Sequence, residues 1–203
     1  MDRLFDDMEL YGKVEAFALE KGFSQTLLVL PYAKEKHKNQ KRKGTDNVPY
    51  IIHPLIMAYQ AIALGLGDDD LLSAVLLHDV CEDCGVALSD LPVNEATREA
   101  VDLLTRKESD HAYSEKGLKE YFEKIKESRI ASIVKILDRC NNVSGMAECF
   151  SKEKIREYIS ETKTFVYPVL EKLKKDYPDI EGQLFVLEYH MTSVVESIEV
   201  LVE

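Results

Sequence analysis

Two histidines and two aspartates, His53, His78, Asp79 and Asp138, stand beside apolar runs where solvated residues are not expected. His53 follows Tyr50-Ile51-Ile52, His78 and Asp79 interrupt the run that begins at Leu71, and Asp138 follows Ile133-Val134-Lys135-Ile136-Leu137. A buried carboxylate costs roughly several kcal/mol unless it is paired or holds a cation. Two imidazoles and two carboxylates from three helices can converge on one divalent ion. Such a mixed nitrogen and oxygen set suits Mn²⁺ or Fe²⁺ and also accepts Zn²⁺. Taken singly, each histidine is more often a hydrogen-bonded core residue. The adjacent His78-Asp79 pair, with a second His upstream and a second Asp downstream, favours the shared ion.

Those side chains need helices to hold them, and most of the sequence has the 3.6-residue apolar period. Leu4 to Lys21 reads as an amphipathic helix stopped by Gly22, with Ser24 capping a second helix towards Asn39 that Pro31 kinks or delays. Gly44 to Pro49 has turn composition, and Pro54 suits the first turn of a helix over Leu55–Leu64. Asp68-Asp69-Asp70 suits the positive end of the next helix, from Leu71 to about Asp83. Its apolar residues leave little polar face, so it should be central. Helices over about 94–104, 114–126 and 129–142 follow, then two longer ones over 152–175 and 180–202. The expected fold is all-α, a helical bundle with a buried mononuclear metal site, in one domain over residues 1–203.

Composition excludes several functions. The 203 residues carry a net charge of −11, which argues against general nucleic-acid binding. No apolar run approaches the roughly 20 residues of a membrane span, and the acidic start Met1 to Asp7 does not resemble a signal peptide. A cytoplasmic protein is expected. Cys81, Cys84, Cys140 and Cys149 are too few for a secreted disulfide framework in a chain this long. Cys81-Glu82-Asp83-Cys84 is formally C-x-x-C but lacks the second pair that a zinc site would need. One segment opposes the overall charge. Residues 34–43 carry net +5, leaving −16 on the remainder, so they form either a local anion site or a solvated helix end.

The order H…HD…D resembles the HD-domain metal-dependent phosphohydrolases, and in particular the hydrolase domain of the RelA/SpoT alarmone enzymes and their small relatives. Three blocks carry the resemblance. Gln40-Lys41-Arg42-Lys43 with Pro49-Tyr50-Ile51-Ile52-His53-Pro54 is similar to the first, and Ala74 to Asp83, containing His78-Asp79-Val80-Cys81-Glu82-Asp83, to the second. Lys135-Ile136-Leu137-Asp138-Arg139-Cys140-Asn141-Asn142 is similar to the third. The match spans about residues 26–145; the helices over 151–203 complete the same domain, and no synthetase block is present.

The resemblance implies Mn²⁺-dependent release of diphosphate from the 3′ position of (p)ppGpp. Glu82 and Asp83 lie one turn beyond His78 and Asp79, where they can orient or deprotonate a water whose pKa an ion has lowered. The family assigns that duty to this pair. The resemblance also implies that Arg42 and Lys43 contact the base, sugar or phosphates, with Tyr50 as a further substrate contact. Lys135, Arg139 and Asn142 could meet phosphate oxygens and the ribose, or pair with carboxylates instead, and Thr105-Arg106-Lys107 could add phosphate contacts. Leu137, Asn141 and residues 108–116 depart from the family pattern and leave the substrate open. The alternatives are another nucleotide, NADPH included, or a silent HD scaffold that binds a nucleotide as a sensor. The partner is a small-molecule nucleotide in the first two readings.

Overall fold

Leu71 to Leu77 are all buried, and the bundle is organised around them. A computed structural model describes residues 5–44, 47–106 and 114–202. Within these lie α1 (Asp7–Lys21), α2 (Ser24–Lys36), α3 (Ile52–Ala63), α4 (Asp69–Leu77), α5 (Val80–Cys84), α6 (Glu95–Leu104) and α7 (Glu115–Ile125). They continue as α8 (Arg129–Cys149), α9 (Lys152–Glu161), α10 (Tyr167–Asp176) and α11 (Glu181–Val202). Helix α4 packs against α2, α3, α6 and α8, while α8 also carries α10 and α11 on its far side. One continuous core results, and the expected all-α class is observed; among the described residues the sole β feature is an isolated bridge between Lys41 and Pro49.

Local chemistry sets the element ends. Gly22, at φ +70°, ends α1 as expected, but Ser24 begins α2 rather than capping it, and α2 runs through Pro31. Of the acidic triplet, only Asp68 caps its own helix, accepting from Leu71 N at 2.8 Å. Asp69 instead caps α2, accepting from Thr26 N and Thr26 Oγ1, each at 2.7 Å. Asp70 accepts from Asn94 Nδ2 at 2.7 Å. The triplet therefore joins elements that the periodicity treats separately.

The largest departure is in the central helix, expected to run unbroken to about Asp83. It stops at Leu77, turns through His78 and Asp79, and resumes as α5. His78 Nδ1 lies 2.8 Å from the Val75 carbonyl, the group an unbroken helix offers to the Asp79 N–H. Asp79 sits at φ −103°, ψ −4°, at the edge of the helical region. Helix α8 runs past the expected end at Asn142, because its asparagine side chains bond to other side chains and leave the backbone ladder intact. The expected helix over 152–175 contains a π-helical turn, Thr162–Val166, between α9 and α10.

The loop from Lys41 to Pro49 is closed by Arg42 N donating to Val48 O at 2.9 Å and Tyr50 N donating to Gln40 O at 3.0 Å. Gly44 has φ +71°, and a Cβ there would lie 2.7 Å from Cys149 Sγ. Only glycine satisfies both the backbone and the close approach to α8. No described helix is long and apolar enough to cross a membrane.

Candidate active site

The turn after α4, the entrance of α3 and the middle of α8 bring His78, His53 and Asp138 together; all three are buried. One donor atom from each lies within 4.8 Å of the others. His53 Nε2 is 3.3 Å from Asp138 Oδ1 and 3.9 Å from Asp79 Oδ2, and His78 Nε2 is 2.9 Å from Asp79 Oδ2. Asp79 Oδ2 thus lies beside both imidazoles at the edge of the three-residue group, and Tyr50 Oη donates a hydrogen bond to it.

The hydrogen bonds on the far side of each ring decide what faces inward. The Val75 carbonyl can only accept, so His78 Nδ1 carries a proton and Nε2 is the atom that faces Asp79, where it holds either a second proton or a lone pair for a cation. No hydrogen-bond partner serves that buried Nε2. His53 Nδ1 lies 2.7 Å from Asn141 Oδ1, which Arg42 Nη2 also approaches at 3.3 Å. Because arginine only donates, the shared atom is an oxygen, and His53 likewise turns its Nε2 to the carboxylates. Lone pairs facing carboxylates repel unless a proton or a cation lies between them. The residues fit a divalent ion.

Electrostatics agree. Burial alone would lower the His78 pKa, but Asp79 and Asp138 outweigh it and push it up to about 9. Burial would raise both carboxyls, yet His78 and His53 hold Asp79 low, and Lys135 and His53 hold Asp138 well below its ordinary value. The carboxylates hold a proton on His78 where a cation would serve.

A cavity of about 1050 Å³ opens above this group. Arg42, Lys43, Arg106, Lys135, Lys154 and Arg156 line it together with Glu82 and Asp83. Burial raises the pKa of Glu82, opposed by a hydrogen bond of 2.9 Å from Arg106 N to Oε2. Asp83 is also raised, by burial and then by Asp79. Carboxyls shifted towards neutrality suit proton transfer.

The other expected contacts divide. Arg42 and Lys43 line the cavity, with Arg42 donating also to Asn142 Oδ1 at 3.2 Å, whereas Lys34 and Lys36 lie over the Tyr11 and Tyr32 rings away from it. Lys135 Nζ donates to Asp138 Oδ2 at 2.9 Å, and Asn142 Nδ2 donates to Asp138 Oδ1. Arg139 is 1 % exposed and donates to Glu161, Thr162 Oγ1 and Tyr158 O, so its guanidinium is engaged with α9. Arg106 lines the cavity; Lys107 and most of 108–116 lie outside the described residues. Sequence reasoning noted Asn141 only as a departure from the family pattern, and it missed Lys154 and Arg156, since charged residues on an amphipathic helix look like its wet face.

Known proteins resemble this chain in sequence and in fold. A zebrafish (Danio rerio) guanosine-3′,5′-bis(diphosphate) 3′-pyrophosphohydrolase MESH1 is 30 % identical over 135 residues, covering 63 % of this chain and 74 % of the relative. The chain belongs to this pyrophosphohydrolase family. A Xenopus tropicalis MESH1 is 28 % identical over 164 residues, covering 75 % of this chain and 87 % of that one. An Aquifex aeolicus enzyme of the same name, minus the MESH1 suffix, is 31 % identical over 147 residues, but the match covers only 20 % of its length. A solved structure described as a metazoan ortholog of SpoT that hydrolyses ppGpp shares the fold, with a TM-score of 0.67 at 20 % identity over 86 % of this chain and 95 % of that one. No protein-family model matches the chain.

Proposed function

We propose that this chain is a metal-dependent (p)ppGpp 3′-pyrophosphohydrolase, working in the cytoplasm as one domain and binding no nucleic acid. The observation that carries the reading is the pair of buried imidazoles whose Nε2 atoms face Asp79 and Asp138 on the floor of a cavity walled by arginines and lysines as well as carboxylates. Its membership in a family whose named relatives are pyrophosphohydrolases supports the choice of substrate.

His53, His78, Asp79 and Asp138 would hold one Mn²⁺; the mixed donor set favours manganese or iron and tolerates zinc. When bound, the ion would supply positive charge against the phosphoryl oxygens and lower the pKa of a nearby water. Glu82 and Asp83, raised by burial, take the proton of the attacking water. A new bond forms from that water to the phosphorus on the ribose 3′ oxygen, the bond from phosphorus to the 3′ oxygen breaks, the 3′ oxygen takes up the proton that the water gave up, and diphosphate and GDP or GTP are released. Lys135, fixed against Asp138, places positive charge beside the transferring group. Arg42 and Lys43 bind the nucleotide from the opposite wall, with Tyr50 and Asn142 shaping the cavity beside them. Arg139 serves by seating Glu161.

The test is a panel of ppGpp, pppGpp, GTP and NADPH, each with Mn²⁺ and with chelator, followed by product analysis. Diphosphate from ppGpp, abolished by chelation, is expected. Turnover of NADPH alone would replace the substrate, and binding without turnover would leave a nucleotide sensor.

A further inference from the structure

Glu161 is a carboxylate in the cavity wall with no part in the chemistry proposed for Glu82 and Asp83. It ends α9 where the π-helical turn begins, and π turns inserted in α-helices concentrate at functional positions. Its carboxylate joins two guanidinium groups from separate elements, Arg139 of α8 and Arg106 beyond α6, the latter at 3.4 Å. The Arg139 end is rigid: the guanidinium is 1 % exposed, lies 3.8 Å from the Tyr158 ring centroid and donates to Thr162 Oγ1 at 3.0 Å.

Arg106 is different. It lies past the end of α6, and its guanidinium rests over the Tyr121 ring at 4.7 Å. Its backbone N–H points the other way and donates to Glu82 Oε2 at 2.9 Å. The residue therefore has Glu161 at one end and Glu82 at the other. Neutralising Arg139 alone would not require Glu161 to reach Arg106 as well.

We infer that Glu161 is a positioning residue for Glu82, acting through Arg106: the carboxylate anchors the arginine side chain, which holds the 106 amide where it orients Glu82. This rests on the proposed role of Glu82 in proton transfer. A carboxylate free to rotate would spend less time aligned with the attacking water, and misplacement of about 1 Å can cost up to about 100-fold in rate.

Hydrogen exchange at the residue 106 amide, followed by NMR in the full chain, reads the link without any turnover. Glu161→Gln keeps an oxygen acceptor for buried Arg139 but removes the negative charge that holds the longer 3.4 Å contact to Arg106, and Arg106→Ala cuts the link while leaving Arg139 and Glu161 paired. Both variants should exchange the 106 amide about 10-fold faster while α6 amides keep their wild-type rates. Mn²⁺ stoichiometry should stay at the wild-type value in both. In turnover, Glu161→Gln should lower kcat about 10-fold with little change in KM. Added to Glu82→Gln, it should cost less than about twofold more, because the two act in series. Wild-type exchange at 106 in both variants would overturn the inference, as would equal kcat losses with and without Glu82. Should the wild-type chain hydrolyse no nucleotide in the panel, the functional reading falls, while the exchange rates still decide whether Glu161 holds the 106 amide on Glu82.

Discussion

Asn141 Oδ1 lies 2.7 Å from His53 Nδ1, a buried contact that decides which nitrogen of His53 faces the carboxylates. The asparagine sits on α8 three residues after Asp138, so one helix supplies both a candidate ligand and the group that orients another. Asn141→Leu removes the acceptor and frees the ring to flip. Outer hydrogen bonds of this kind typically govern about 10- to 100-fold in metal affinity. Mn²⁺ binding measured by calorimetry should weaken by that range while the helical content is kept; wild-type affinity would remove Asn141 from the site.

The metal ligands give a sharper outcome. His78→Ala or Asp138→Ala should abolish both Mn²⁺ content and turnover, because each withdraws a donor from the buried His53, His78 and Asp138 group. Metal analysis of the purified variants checks it. Retained stoichiometry in either would reassign the ion.

Proton and cation compete at the same place, which sets a pH dependence. The His78 pKa is raised from its ordinary 6.5 to about 9 in the metal-free protein. Its contribution to stability is therefore complete below pH 6.5 and lost as pH rises through 9. Asp79 and Asp138 are lowered, so their contribution is present above their ordinary 3.8 and lost on acidification below it. Thermal unfolding of the chelated protein should show Tm falling between pH 6.5 and 9. Mn²⁺ should restore it there, since the ion takes over from the proton. A chelated Tm that holds steady across that interval would show that His78 is not the group held charged.

The bundle and the identity of the central residues were legible because burial writes a 3.6-residue period, and His78, Asp79 and Asp138 violate it. The break at His78 was not, because it depends on an imidazole reaching the Val75 carbonyl, and apolar periodicity carries no record of that bond. Asn141 was hidden for the same reason: its partner is 88 positions away. Arg139 stands beside Asp138 in the sequence and lines the cavity, and only the fold reveals that Glu161 lies against it. Contacts distant in sequence leave no periodic trace.

Glu82→Gln tests the proton-transfer assignment. The amide still accepts from Arg106 N, so the local structure should survive, but it cannot take a proton. Hydrolysis should slow by roughly 10²- to 10⁴-fold with the ion still bound. Loss of metal instead would make Glu82 a ligand.

The cationic segment makes the last prediction. Arg42 lies where the cavity of about 1050 Å³ meets a second of about 530 Å³, and its guanidinium is 5.7 Å from the Tyr50 ring centroid. A substrate with four or five phosphates must approach a chain of net −11, so positive charge at this junction should act on binding. Arg42→Ala should raise KM for ppGpp by about 10- to 100-fold, the range for losing hydrogen bonds to a charged group, with a smaller effect on kcat. Arg42→Lys keeps the charge but not the planar fork, and should recover only part of the loss. Lys34 and Lys36, occupied by aromatic rings away from the cavity, should contribute only a steering effect that fades with salt. Steady-state kinetics at low and moderate ionic strength separate the two contributions. If Arg42→Ala leaves KM unchanged at low salt, the segment is a solvated helix end, and the nucleotide is held by the other cations of the cavity wall.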